Sequence, residues 1–165
     1  MQVKNRGPRR TSRAQGRASR SSCPVSIALE LIGDPWSLLV IRDLMFKGRR
    51  RYKEFLEAEE GIASNVLADR LQRLEAAGML VRTTDPEDGR RAVYSLTRKG
   101  IELAPVLVEM VIWSARHHDT GAPPAIVRMM REQREAFLQG VLEDWASNQI
   151  GDPAGKTRRR KSGHA

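Results

Sequence analysis

The stretch RRRYKEFLEAEEGIASNVLADRLQRLEAAGMLVRTTDPEDGRRAVYSLTRKG, from Arg49 to Gly100, decides the fold. Phe55 and Leu56 mark the buried side of a short helix that starts near Tyr52, and Glu59-Glu60-Gly61 breaks it. Ser64 is placed to cap the next helix, which carries Leu67, Leu71 and Leu74 as one apolar stripe and stops before Gly78. Leu80 to Thr84 and Ala92 to Thr97 then read as strands, and Asp88-Gly89 favours a tight hairpin turn between them. Helix, break, helix and hairpin in that order make a winged helix-turn-helix, an arrangement that lays its second helix in the DNA major groove.

Working outward, Val25, Ala28, Leu29 and Ile32 recur at helical spacing, so a first helix runs from Cys23-Pro24 to Gly33. Asp34 caps a second helix with Pro35 at its first position, and Trp36, Leu39, Val40, Leu44 and Phe46 bury most of it. Lys47-Gly48 ends that helix, and Arg49 to Arg51 is a short extended piece. On the other side, Thr97 caps a long helix reaching about His118. Pro105 forces a kink or a restart inside it, because proline removes a backbone donor. Pro123-Pro124 separates a last amphipathic helix, about Ala125 to Ser147. The expected fold is mainly α with a small β-hairpin, a winged helix-turn-helix with long C-terminal dimerisation helices.

Charge divides the chain. Its 165 residues carry a net +9, but residues 1–22 hold +7, residues 151–165 hold +4, and residues 23–150 are left with −2. The reading is therefore a disordered basic arm at 1–22, a winged helix-turn-helix domain at 23–120, a C-terminal helix for dimerisation or packing at 121–150, and a disordered basic tail at 151–165. The arm lacks the apolar residues that a secretory signal or an amphipathic transit peptide needs. The apolar run Leu103 to Trp113 is far too short to span a bilayer. Cys23 is the single cysteine, so no intrachain disulfide can form, and a reduced cytoplasm is expected.

DNA binding needs attraction to phosphates and readout of base edges. On the second helix of the motif, Ser64 lies at the N-terminal end, where backbone N–H groups meet phosphate. Asn65 is suited to bidentate pairing with adenine. Arg70 and Arg73 are long enough for guanine or phosphate. Asp69 accepts from cytosine or orients an arginine, and Ala68 lies on the same polar side. Arg51 and Lys53 lie at the start of the first helix of the motif as phosphate clamps. In the wing, Arg90 and Arg91 reach the minor groove or flanking phosphates, while Asp85, Glu87 and Asp88 oppose them.

Cys23-Pro24 before an apolar helix, Trp36, Phe46, Tyr52-Lys53-Glu54-Phe55, Gly61-Ile62 with Ser64, Leu67, Arg70-Leu71 and Leu74-Glu75, then Tyr94-Ser95-Leu96-Thr97 and Gly100 resemble the HxlR-type winged-helix regulators. The resemblance covers about residues 23–115. It implies a bacterial, dimeric DNA-binding regulator related to the MarR type, with the helix Ser64–Ala77 in the major groove. Two departures stand out: Pro35 takes a place where lysine is common before the tryptophan, and the wing is more acidic than usual.

The helix from Leu103 to Trp113 is apolar nearly all round, so more than one face must be covered. A second copy of the chain would cover one of them, giving a twofold dimer on an inverted repeat with half-sites about one DNA turn apart. The alternative is that the last helix, with Ile126, Met129, Met130, Phe137, Val141 and Trp145, folds back and seals a monomer. Cys23 sits where a helix N-terminus and an arginine-rich arm favour the thiolate. The resemblance supports a thiol sensor there, with an inert cysteine as the alternative, and a small-molecule or electrophile effector fits the same picture. His117-His118 point about 100° apart on a helix and make a poor metal pair. Neither a phosphate loop nor a catalytic carboxylate pair is present, so neither an enzyme nor a cofactor is expected. The leading expectation is a sequence-specific transcriptional repressor binding double-stranded DNA. The arms leave open a chromosome-associated protein with little sequence preference, and a winged helix can also serve protein contacts alone.

Overall fold

In the computed structural model, residues 20–86 and 88–148 are described; the expectations for the basic arm before residue 20, for Glu87 and for the tail lie outside them. The elements are α1 (Pro24–Ile32), α2 (Pro35–Phe46), α3 (Tyr52–Leu56), α4 (Ser64–Ala76), β1 (Leu80–Thr84), β2 (Ala92–Leu96), α5 (Arg98–Ile101), α6 (Ala104–His117), α7 (Pro124–Glu132) and α8 (Arg134–Ser147). Asp34 caps α2 through the Ser37 amide, with Pro35 at the first position where its missing N–H costs nothing. Gly48, Gly61 and Gly78 take positive φ where α2, the α3–α4 turn and α4 end, which a side chain at those positions would oppose.

The helices α2, α3, α4, α5 and α6 enclose one core, in which Ile41, Phe55, Leu67, Leu74, Leu80, Ile101 and Val108 are fully buried. The hairpin forms its edge. Strands β1 and β2 pair antiparallel with Leu80 opposite Leu96 and Thr84 opposite Ala92. The extended piece before α3 flanks β2 on its other side: Arg51 bridges Val93, and the Tyr94 amide donates to the Arg50 carbonyl at 2.8 Å. This third partner buries Val93 through Leu96 on both faces, with Tyr94 edge-on to Phe55.

Two local expectations are corrected, and of the kink or restart expected at Pro105 the restart is found. Ala63, not Ser64, is the N-cap of α4: its backbone is already extended and its carbonyl accepts from the Leu67 amide at 2.9 Å. Ser64 is the first helical residue, and its carbonyl accepts from the Tyr52 hydroxyl at 2.7 Å. Downstream of Thr97 the chain restarts rather than kinks, with α5 ending at Ile101 and Pro105 falling in the first turn of α6. The last helix is two, broken at Gln133, whose φ of −126° and ψ of 41° leave the helical region. The break turns α8 back onto the body, where Phe137, Val141, Leu142 and Trp145 gain cover that a straight helix would forfeit. Among the described residues no single helix is long and apolar enough to cross a membrane.

Gly100 shows how closely these parts meet. A Cβ there would stand 2.1 Å from the Met79 carbonyl oxygen and 3.0 Å from Leu96 Cδ2. Gly100→Ala is expected to lower the unfolding free energy by about 2–3 kcal/mol, because backbone rather than a flexible side chain must give way. Chemical denaturation checks this.

Candidate nucleic-acid interface

The core grips α4 by one side only. Leu67, Leu71 and Leu74 are buried, while Ser64, Asn65, Ala68, Asp69, Gln72 and Arg73 form an exposed opposite face. Asn65, Gln72 and Arg73 make no side-chain hydrogen bond or ion pair with any described residue, so their donors and acceptors are open to a ligand. Arg70 is different. Its Nε lies 2.9 Å from Asp34 Oδ1 and its Nη1 2.8 Å from Asp69 Oδ2, with the side chain only 18% exposed. It ties α4 to the start of α2. Burial pushes the Asp34 carboxyl up, but the Ser37 hydroxyl and amide and the Arg70 charge more than offset this and hold it below its ordinary value.

The wing is also tied from within. Asp85 is buried, and both Nε and Nη2 of Arg51 reach its Oδ2 at 2.8 Å. Arg51, expected as a phosphate clamp, thus fastens the extended piece to the wing base. Asp85, expected to repel phosphate, is screened. Arg91 Nε pairs with Asp88 at 2.9 Å, and the Arg91 amide closes the turn on the Asp88 carbonyl at the same distance. Arg90 is exposed and its side chain has no partner among the described residues. Lys53 is exposed, with Glu57 3.5 Å away.

Sequence reasoning missed Arg82. It stands opposite Tyr94 across the hairpin, exposed, and with Lys53 and Arg91 it lines a groove of about 670 Å³ floored by Tyr52 and Tyr94. Burial pushes the Tyr94 hydroxyl up, with the Arg82 charge pulling against it. The strand register was the available signal, since pairing Leu80 with Leu96 places Arg82 beside Tyr94.

A second set of ties sets the turn before α4. Buried Asp43 accepts from Arg42 at 2.5 Å and from Arg49 at 2.8 Å, and Arg42 also donates to Glu60 at 2.5 Å. The Arg42 hydrogen bond holds the Glu60 carboxyl down to about 2.

An α3–turn–α4 pair flanked by a hairpin, with one face of α4 left open, defines a winged helix-turn-helix transcriptional regulator. Residues 31–122 match the model of the HxlR-like helix-turn-helix family, and the chain belongs to that family. An HTH-type transcriptional regulator of Synechocystis, sll1512, is 42% identical over 88 residues, which is 53% of this chain and 64% of that protein. YodB of Bacillus subtilis is 36% identical over 100 residues, 60% of this chain and 88% of its own length. Among solved structures, PA1607, a putative transcription factor, superposes with a TM-score of 0.56 at 38% identity, covering 64% of this chain and 72% of that one. The oxidized redox regulator HypR superposes with a TM-score of 0.53 at 30% identity, covering 59% and 100%.

Two outcomes follow from these ties. Arg70→Ala is expected to cost about 1–2 kcal/mol of stability, since it removes the part-buried pairs with Asp34 and Asp69 and leaves Asp34 to Ser37 alone, whereas Arg73→Ala should stay within about 0.5 kcal/mol; thermal melts of both variants decide. Glu60 has a depressed carboxyl, so its contribution is complete above about pH 4.5 and is lost as pH falls towards about 2. Glu60→Gln should therefore flatten the fall in stability between those pH values.

Proposed function

We propose that this chain is a sequence-specific DNA-binding transcriptional regulator that acts as a homodimeric repressor on an inverted repeat. The observation that carries this reading is the unpartnered polar face of α4, with Asn65, Gln72 and Arg73 open and anchored from behind by three leucines. Asn65 and Arg73 read base edges, Ser64 and Ala68 approach the backbone, and Asp69 orients Arg70. Lys53, Arg82, Arg90 and Arg91 supply phosphate contacts on either side. Arg51 and Arg70 act by holding the reading helix and the wing rather than by touching DNA. Occupying an operator occludes the DNA it covers, hence repression. The setting is the bacterial cytoplasm, and no cofactor is required.

The dimer reading is supported by two apolar surfaces. Helix α1 exposes Val25 at 66% and Leu29 at 59%, and α6 exposes Met110 and Trp113. Helix α8 does fold back, as the sealed-monomer alternative requires, but it leaves both surfaces exposed, which favours a second copy over them. Cys23 is exposed at the N-cap of α1, beside the surface a second copy would cover. Its modification would therefore reach the dimer contact. That HypR is described as a redox regulator supports a thiol response.

The competing reading, a chromosome-associated protein with little preference, draws on the charge of the arms. Affinity for the DNA upstream of its own gene, divided by affinity for random DNA at fixed salt, separates the two. A ratio of about a thousandfold or more is expected, and Asn65→Ala should lower it by roughly tenfold. A ratio near one sinks the regulator. Sedimentation at micromolar concentration should show twice the chain mass.

A further inference from the structure

The segment beyond residue 122 lies outside the family match, yet it is built into the motif. Arg134 at the start of α8 pairs with Glu109 of α6, and Phe137 stands 6.4 Å from Phe46 at the end of α2. At the far end of α8, the half-buried Trp145 donates from Nε1 to the Leu96 carbonyl at 2.8 Å. Leu96 is the last residue of β2. The next residue, Thr97, donates from its amide to the Met79 carbonyl at 3.1 Å and from its hydroxyl to the Gly78 carbonyl at 2.7 Å. Lys99 adds a bond from Nζ to the Ala77 carbonyl at 2.8 Å. Four residues, Leu96 to Lys99, therefore join the root of the wing to the end of α4 on one side and to α8 on the other.

A two-stranded hairpin is marginal by itself, so its attachments set where it stands. This hairpin is held along β2 by Arg50 and Arg51 and at its root by the Leu96–Lys99 junction. We propose that Trp145 is a positioning residue for the wing. Through the Leu96 carbonyl, α8 fixes the root of β2 against the end of α4, and so fixes where Arg82, Arg90 and Arg91 stand relative to the open face of that helix. The C-terminal extension is then part of the DNA-binding apparatus.

The proposal rests on the DNA-binding reading for its affinity arm but not for its structural one. In the full chain, Trp145→Phe keeps most of the apolar contact and removes the donor. A second variant, with the indole of Trp145 replaced by the isosteric benzothiophene, removes only the N–H. Amide exchange of β1 and β2 should speed up by roughly threefold to tenfold, the loss of one hydrogen bond, while α2 and α4 amides keep their rates. DNA affinity should fall by a similar factor in the intact wing. In an Arg82→Ala, Arg90→Ala, Arg91→Ala background it should fall no further. Exchange that rises equally in α2, α4 and the wing, exchange that does not change, or an affinity loss that persists in the triple background would each overturn the proposal. So would failure of both variants to fold, which would make Trp145 a core residue only. If the unaltered chain binds no DNA, the regulator reading fails, and the exchange rates still decide the role of Trp145.

Discussion

The burial of Leu67, Leu71 and Leu74 is the contact on which the rest depends. Each buried leucine contributes on the order of 2 kcal/mol, and replacing one with alanine costs more, about 2–5 kcal/mol. The ion pairs around α4 are worth about 1 kcal/mol each at best. The leucines therefore decide that α4 is held, and by which side. The ties to Asp34 and Tyr52 decide its roll and the direction in which its first turn points. A helix gripped along a single stripe has its opposite face left open by construction.

Arginine does two kinds of work in this chain, and burial separates them. Arg42, Arg49, Arg51 and Arg70 each meet a carboxylate that is buried or half-buried; Arg51 and Arg70 join elements distant in sequence, and Arg42 bridges Asp43 to Glu60. Removing Arg51 takes a charge partner from buried Asp85, a larger loss than the pair itself is worth, whereas Asp43 keeps one arginine when the other is removed. Arg73 and Arg90 stand on the surface with no side-chain partner among the described residues, and Arg82 reaches Tyr94 across the hairpin. Composition cannot distinguish these two groups, because a charge count treats a brace and a free cation alike.

The sequence made the order of elements legible because the signals were local: Asp34-Pro35 at a helix start, Gly78 at a helix end, Asp88-Gly89 in a turn. The leucine stripe gave the buried side of α4 for the same reason. What remained hidden depended on partners far along the chain. The ion pair of Arg70 with Asp34, thirty-six residues earlier, left no mark in the local sequence. Asp85 looked like a surface acid until Arg51 buried it. The break at Gln133 carries no glycine or proline to announce it. It arises because turning there covers Phe137 and Trp145, a gain set by tertiary packing. Arg82 was readable only once the hairpin register was known.

The internal pairing of the wing has a consequence for its ionic atmosphere. With Asp85 held by Arg51 and Asp88 by Arg91, Arg90 is the wing cation that remains uncommitted among the described residues. Each phosphate neutralised by a protein cation releases condensed counterions, and contributes about 0.9 to the logarithmic dependence of affinity on salt. On the proposed DNA-binding reading, Arg90 thus adds about one such unit without breaking any pair in the wing, against six arm cations besides Arg20, which meets Glu30. On that reading, ionic strength would act on this molecule more through its arm than through its wing.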